Sequence, residues 1–233
     1  MVEETVMDAA QVDVYVGVHK GLRHLLGRFS FEAGTTDWTD AAAVARLAAQ
    51  WQVVTRLLDT HHHHEEKHIH PVLAEVSPGA HRRFEADHDA QQAVLADLAA
   101  HFDRLASGGV SAARKAQIGL EFYRGFSQFY ADYLPHLHRE EVEAERALHA
   151  LCTAEDLGAM VGGLIASIPP DEMMLWIDCM APAMNPRECA DLLGQMKAGA
   201  PPEAFDAMAD RARRAVGPSN WARLEALMAA PVV

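Results

Sequence analysis

Apolar side chains along the first 150 residues recur at alternating spacings of three and four, the stripe that a helix presents to a bundle core. The first helix is expected from about Ala10 to Phe29, with Val12, Tyr15, His19, Leu22, Leu26 and Phe29 inward. Glu32 to Trp38, containing Gly34, Thr35, Thr36 and Asp37, reads as a loop, after which Thr39 or Asp40 can cap a second helix. That helix carries Val44, Leu47, Trp51, Val54, Leu58, His61, Glu65, His68 and Val72 inward, and Pro71 should bend or end it. Ser77-Pro78-Gly79 makes a turn into a third helix with Phe84, His88, Gln91, Leu95, Leu98, Phe102 and Leu105 inward, stopped by Ser107-Gly108-Gly109. Ser111 can cap a fourth, whose stripe is Phe122, Phe126, Phe129, Tyr133, His136 and Glu140; Pro135 should kink it beside His136. Past Leu151 come short helices opened by Thr153, Pro169-Pro170-Asp171, Asn185-Pro186, Pro201-Pro202-Glu203 and Pro218-Ser219-Asn220. No strand signal or internal repeat is present. The predicted fold class is all-α: an antiparallel up-down-up-down four-helix bundle over residues 1–150, then an all-helical extension over 151–233.

The stripes stay in step while their chemistry changes. His61 and Glu65 stand four apart on the second helix, His136 and Glu140 four apart on the fourth, and His19 and His88 interrupt the other two. Counted along an up-down-up-down path, His19, Glu65, His88 and Glu140 each lie about eight to ten residues from the same end, one level at about 1.5 Å per residue. A buried polar group without partners costs roughly 2–7 kcal/mol, and an isolated charge far more. Metal ions resolve that cost: neutral imidazoles supply nitrogen, and each carboxylate can bridge two cations. The candidate metal ligands are therefore His19, His61, Glu65, His88, His136 and Glu140. Nitrogen and oxygen donors without thiolate suit iron, manganese or zinc, and six donors over two metals leave positions open for a small molecule.

The set His19, His61-xxx-Glu65, His88, His136-xxx-Glu140, with the flanks HHHHEEKHIHP and HLxxEE, resembles the hemerythrin-like (HHE cation-binding) domain family over roughly residues 10–150. The resemblance implies a bundle holding two iron ions, bridged by Glu65 and Glu140 with the histidines terminal. It also implies binding, sensing or reaction with oxygen, nitric oxide or peroxide, or iron handling. Oxygen-carrying members present two histidines four apart on the third helix, whereas Gln92 follows His88 here. That departure favours a sensor or reactive centre over reversible transport, with His64, His68 or Tyr133 as substitutes for the absent ligand.

Other readings compete. His64-Glu65-Glu66-Lys67-His68 fits the HExxH pattern of zinc hydrolases, although charged residues fill its middle. Glu65…His68 and Glu85…His88 fit a ferritin-like pattern, which needs a first-helix glutamate that is absent between Glu4 and Glu32. A regulatory module that metal merely holds together is the remaining alternative. His62, His63, His70, His101 and His149 are expected to face solvent and His24 to lie at a boundary. His68 and His81 fall on the stripes below the metals, where they can hydrogen-bond to ligands, and Glu66 and Glu141 are solvated or support the ligands.

Composition narrows the partners. The net charge of −13 argues against nucleic acid and anionic membranes. No apolar run reaches the ~18 residues of a membrane span, and the acidic start MVEETVMDAA lacks a signal peptide's pattern, so a cytoplasmic protein is expected. Cys152, Cys179 and Cys189 have no CxxC spacing and read as packed thiols. All 14 histidines lie at or before His149 and eight of the ten methionines after it, which motivates the boundary near 150. The extension reads as methionine-rich packing, or as a surface for a second copy or a protein partner.

Overall fold

The computed structural model describes residues 12–107 and 109–229, and among them the only regular structure is helical. Four long helical segments form the bundle: α1 (Val16–Thr35), α2 (Ala41–His68), α4 (Pro78–Ala106) and α5 (Ala112–Arg139). A short helix of about two turns, α3 (His70–Val76), continues α2 after a break at Ile69, and α5 runs through a π turn (Glu140–Ala144) into α6 (Glu145–Leu151). The extension is α7 (Ala154–Ser167), α8 (Pro170–Met180), α9 (Pro186–Gly199), α10 (Pro202–Val216) and α11 (Pro218–Ala229).

Each boundary has a local cause. Asp13 takes the N–H groups of Tyr15 and Val16 at 3.0 and 2.7 Å, so α1 begins later than the stripe suggests; Ala10 and Gln11 lie outside the described residues. At the other end α1 outlasts Phe29, closed by Thr35 and Thr36 hydroxyls bonding back to Phe31 and Glu32 carbonyls. Asp40 and Ser111 cap α2 and α5 as expected. Capping boxes at Thr153–Asp156 and Asn185–Glu188 start α7 and α9. Pro71 sits at the second position of α3, where its missing N–H costs nothing. Pro135, by contrast, lies within an unbroken α5; the irregularity falls one turn later, at the π turn.

The bundle has two apolar layers. One packs Leu22, Leu26, Phe29, Trp51, Phe122 and Phe126, with Trp176 and Cys179 of α8 against its side. The other packs Tyr15, Ile69, Leu73, Phe84, Ala144 and Leu148, with Leu157 of α7. Helices α8–α11 enclose a third cluster around Ile177, Leu193, Met208 and Leu224. The extension is tied to the bundle by ion pairs, Lys20–Glu188 at 2.6 Å and Arg56–Asp171 at 2.5 Å.

The loop from α1 to α2 is pinned by Trp38, whose indole N–H donates to the Ala33 carbonyl at 3.2 Å and whose ring covers Gly119 of α5. A Cβ on Gly119 would lie 2.0 Å from Trp38 Cγ, so Gly119→Ala must evict the ring. Overpacking of this kind costs about 1–3 kcal/mol or more. The expected result is a clear fall in the urea midpoint for Gly119→Ala. Gly158→Ala, on an exposed face of α7 with open space around it, should leave the midpoint unchanged or raised.

Candidate metal centre

Between the two apolar layers lies a polar belt. His19 comes from α1, His61 and Glu65 from α2, His88 from α4, His136 from α5 and Glu140 from the π turn. All six are buried, none more than 3% exposed. The six candidates picked from the sequence are thus brought together.

Their atoms divide into two sets. Glu65 Oε1 lies 3.2 Å from His61 Nε2 and 3.8 Å from His19 Nε2, which is also 3.5 Å from Glu140 Oε2. On the other side, Glu65 Oε2 lies 3.4 Å from His88 Nε2, and Glu140 Oε1 lies 3.1 Å from His136 Nε2 and 3.6 Å from His88 Nε2. Each carboxylate therefore offers one oxygen to each pair of imidazoles. His19, His61, Glu65 and Glu140 could hold one cation among atoms within 4.8 Å of one another.

The four Nε2 atoms and all four carboxylate oxygens are buried without an aligned hydrogen-bond partner. Left so, eight such groups at roughly 2–7 kcal/mol each would exceed the ~5–15 kcal/mol by which a domain is stable. Cations between them satisfy every one, so the residues present fit a pair of metal ions. Protons do the same less completely. Burial pushes His19 and His88 down, but the nearby carboxylates outweigh it (Glu141 and Glu65 at His19, Glu140 and Glu65 at His88) and hold them at about 9 and about 10. Burial raises Glu65, yet His61, His19 and His88 bring it well below the usual range; burial and Glu65 raise Glu140, yet His136 and His88 bring it to about 2. His61, with burial dominant, falls to about 4. The pocket selects positive charge.

Outer carboxylates orient the rings. His19 Nδ1 is 3.1 Å from Glu141, which accepts from Arg23 at 2.5 and 3.0 Å. His136 Nδ1 is 3.3 Å from Asp87, which accepts from Arg139 at 2.7 Å. A carboxylate on the far nitrogen fixes the tautomer and makes the near one a better donor.

Several sequence expectations need correction. His62 and His70 are buried, not solvated, at 1% and 2% exposure. His62 continues the stripe from Leu58 and stacks on His88 with ring centroids 3.9 Å apart, its Nε2 3.4 Å from the Tyr133 hydroxyl. His70 is turned inward by the break at Ile69. His149 is half-buried, reaching the Val12 carbonyl at 2.9 Å, because the π turn advances the register of α6. His101 is half-buried too, its ring edge on Phe122. His63 is exposed as expected.

The rival metal patterns do not assemble. His64 faces α8, its Nε2 2.9 Å from Glu172, and His68 reaches Ser167 at 3.2 Å, so neither meets Glu65 at a common point. Glu85 is exposed beside His81 instead of facing the belt. Gln92 is likewise exposed, so its position does not address the belt at all.

No curated protein and no solved structure gives a significant match to the chain. Among the described residues no helix is long and apolar enough to cross a membrane. The hemerythrin HHE cation binding domain matches residues 10–148, more than half of the chain and the stretch holding all six converging side chains, and the chain belongs to that family.

Proposed function

We propose that the belt holds two iron ions and meets a small ligand there: oxygen, nitric oxide or peroxide. One ion would be held by His19, His61 and one oxygen each of Glu65 and Glu140, the other by His88, His136 and the remaining oxygens. The observation that carries this reading is the division of eight unpartnered buried donors into two sets sharing two carboxylates. Iron so bound supplies electron transfer and open coordination positions.

The chain's own residues do the rest. Glu65 and Glu140 fix the spacing of the two positions, while Glu141 with Arg23 and Asp87 with Arg139 aim the imidazoles of His19 and His136. The apolar layers exclude water, which strengthens every charge interaction inside. A second reading, a regulatory module that metal stabilises, is favoured by one link: Glu172 of α8 joins His64, beside Glu65, to the Trp176 indole at 2.9 and 3.1 Å.

Elemental analysis of untagged protein, with visible spectra before and after each ligand, tests the first reading. About two irons per chain and an absorption that responds to oxygen, nitric oxide or peroxide are expected. A single zinc and a featureless spectrum would overturn it; bound iron inert to all three ligands would favour the regulatory module.

A further inference from the structure

Had α2 continued unbroken, residue 70 would point away from the stripe of His61 and Glu65. The chain instead leaves the helix at Ile69 (φ −106°, ψ −49°) and restarts at His70, with Pro71 next. His70 is left 2% exposed with neither ring nitrogen partnered. One of its nitrogens falls within 4.8 Å of donor atoms of Glu65, His88 and Glu140. Its ring lies parallel to that of His88, centroids 5.4 Å apart at 12°.

The third long helix supplies no second nitrogen here. Phe84, one turn before His88, is buried against the ring of His136, and Gln92, one turn after, is exposed. His62 also borders His88 and His136 with its Nδ1 unpartnered, but its Nε2 meets the Tyr133 hydroxyl at 3.4 Å and no carboxylate joins that set, whereas His70 has both nitrogens free and two carboxylates beside it. We propose that His70 is a further metal-binding side chain, completing the position of His88 and His136 from the helix break. The assignment rests on the two-metal reading above. It makes the two positions unequal, with three imidazoles at one and two at the other.

Anaerobic titration of the metal-depleted full chain with cobalt(II), following bound metal by equilibrium dialysis and the visible d–d bands, tests this directly. Wild type should take up about two cobalt ions per chain. His70→Ala should keep one and bind the other more weakly by more than the ~10–100-fold that loss of an outer supporting residue costs. The bands of one ion should change, and added imidazole should restore them. His70→Gln, which keeps the side-chain volume, should show the same loss without the imidazole rescue, and circular dichroism of both variants checks the fold. Unchanged affinity in His70→Ala, or a loss seen only in His62→Ala, overturns the assignment and leaves the two-metal centre standing. Fewer than two ions in wild type would overturn both together.

Discussion

Glu65→Ala should empty both metal positions at once, whereas His61→Ala should weaken one and His63→Ala neither. Glu65 is 2% exposed and its two oxygens face different histidine pairs, so its removal takes a donor from each. The loss should exceed the ~100-fold upper range for an outer supporting residue, and retained metal should drop to background in elemental analysis. His63 shares the same run of histidines but is exposed, so it serves as the register control. The metal-depleted chain should be weakened as well. There Glu65 is the carboxylate that His19 and His88 share, and removing one partner of a buried charge cluster costs roughly 3–5 kcal/mol. Thermal unfolding after chelation should therefore place Glu65→Ala below wild type, so retained metal, not Tm, is the readout that separates a ligand from a structural carboxylate. Equal metal loss from Glu65→Ala and His63→Ala would mean that the second helix is turned differently from the geometry described.

What could be read from the sequence was whatever one helix settles by itself. His19 follows Tyr15 and precedes Leu22 on an apolar stripe, and both neighbours are buried where the spacing puts them. Four such stripes, each with a polar break at the same height, were enough to assemble the belt. Residues whose placement depends on another element were not legible. His64 is covered because α8 brings Glu172 over the outer face of α2, and nothing in the local periodicity announces α8. His70 is inward because of a break one residue long; Pro71 signalled the break but not the direction in which it would turn the chain. Glu145 is buried because the π turn advances the register. There it accepts from the Val14 N–H at 3.2 Å, and burial, with Asp13 nearby, pushes its carboxyl up to about 7. Periodicity reports a helix's own face, and these three positions are decided by what the face meets.

Metal removal should cost the protein much of its thermal stability, and unevenly. Anything bound only by the folded state stabilises it by about 2.7–4.1 kcal/mol at 100–1,000 times its dissociation constant, and two bound ions would double that. At roughly 2–4 °C per kcal/mol for a domain of this size, chelation should lower Tm by roughly 10–30 °C. The loss should not spread uniformly. The layer holding Trp51, Phe122 and Phe126 is dense with aromatic contacts, Phe29 to Phe126 at 4.8 Å among them, and does not depend on the belt. The layer below it is closed by α3, the π turn and α6, which carry His70, Glu140 and Glu145 inward and gain order from whatever neutralises the belt. Hydrogen exchange should therefore quicken first over His70–Val76 and Glu140–Leu151 after chelation, while α2 around Trp51 and α5 around Phe126 stay protected. A Tm indifferent to chelator, in protein shown beforehand to contain metal, would place that metal outside the bundle. Uniform loss of protection would instead mean that the two layers fold as one unit, with the ions locking the whole bundle and not its lower half.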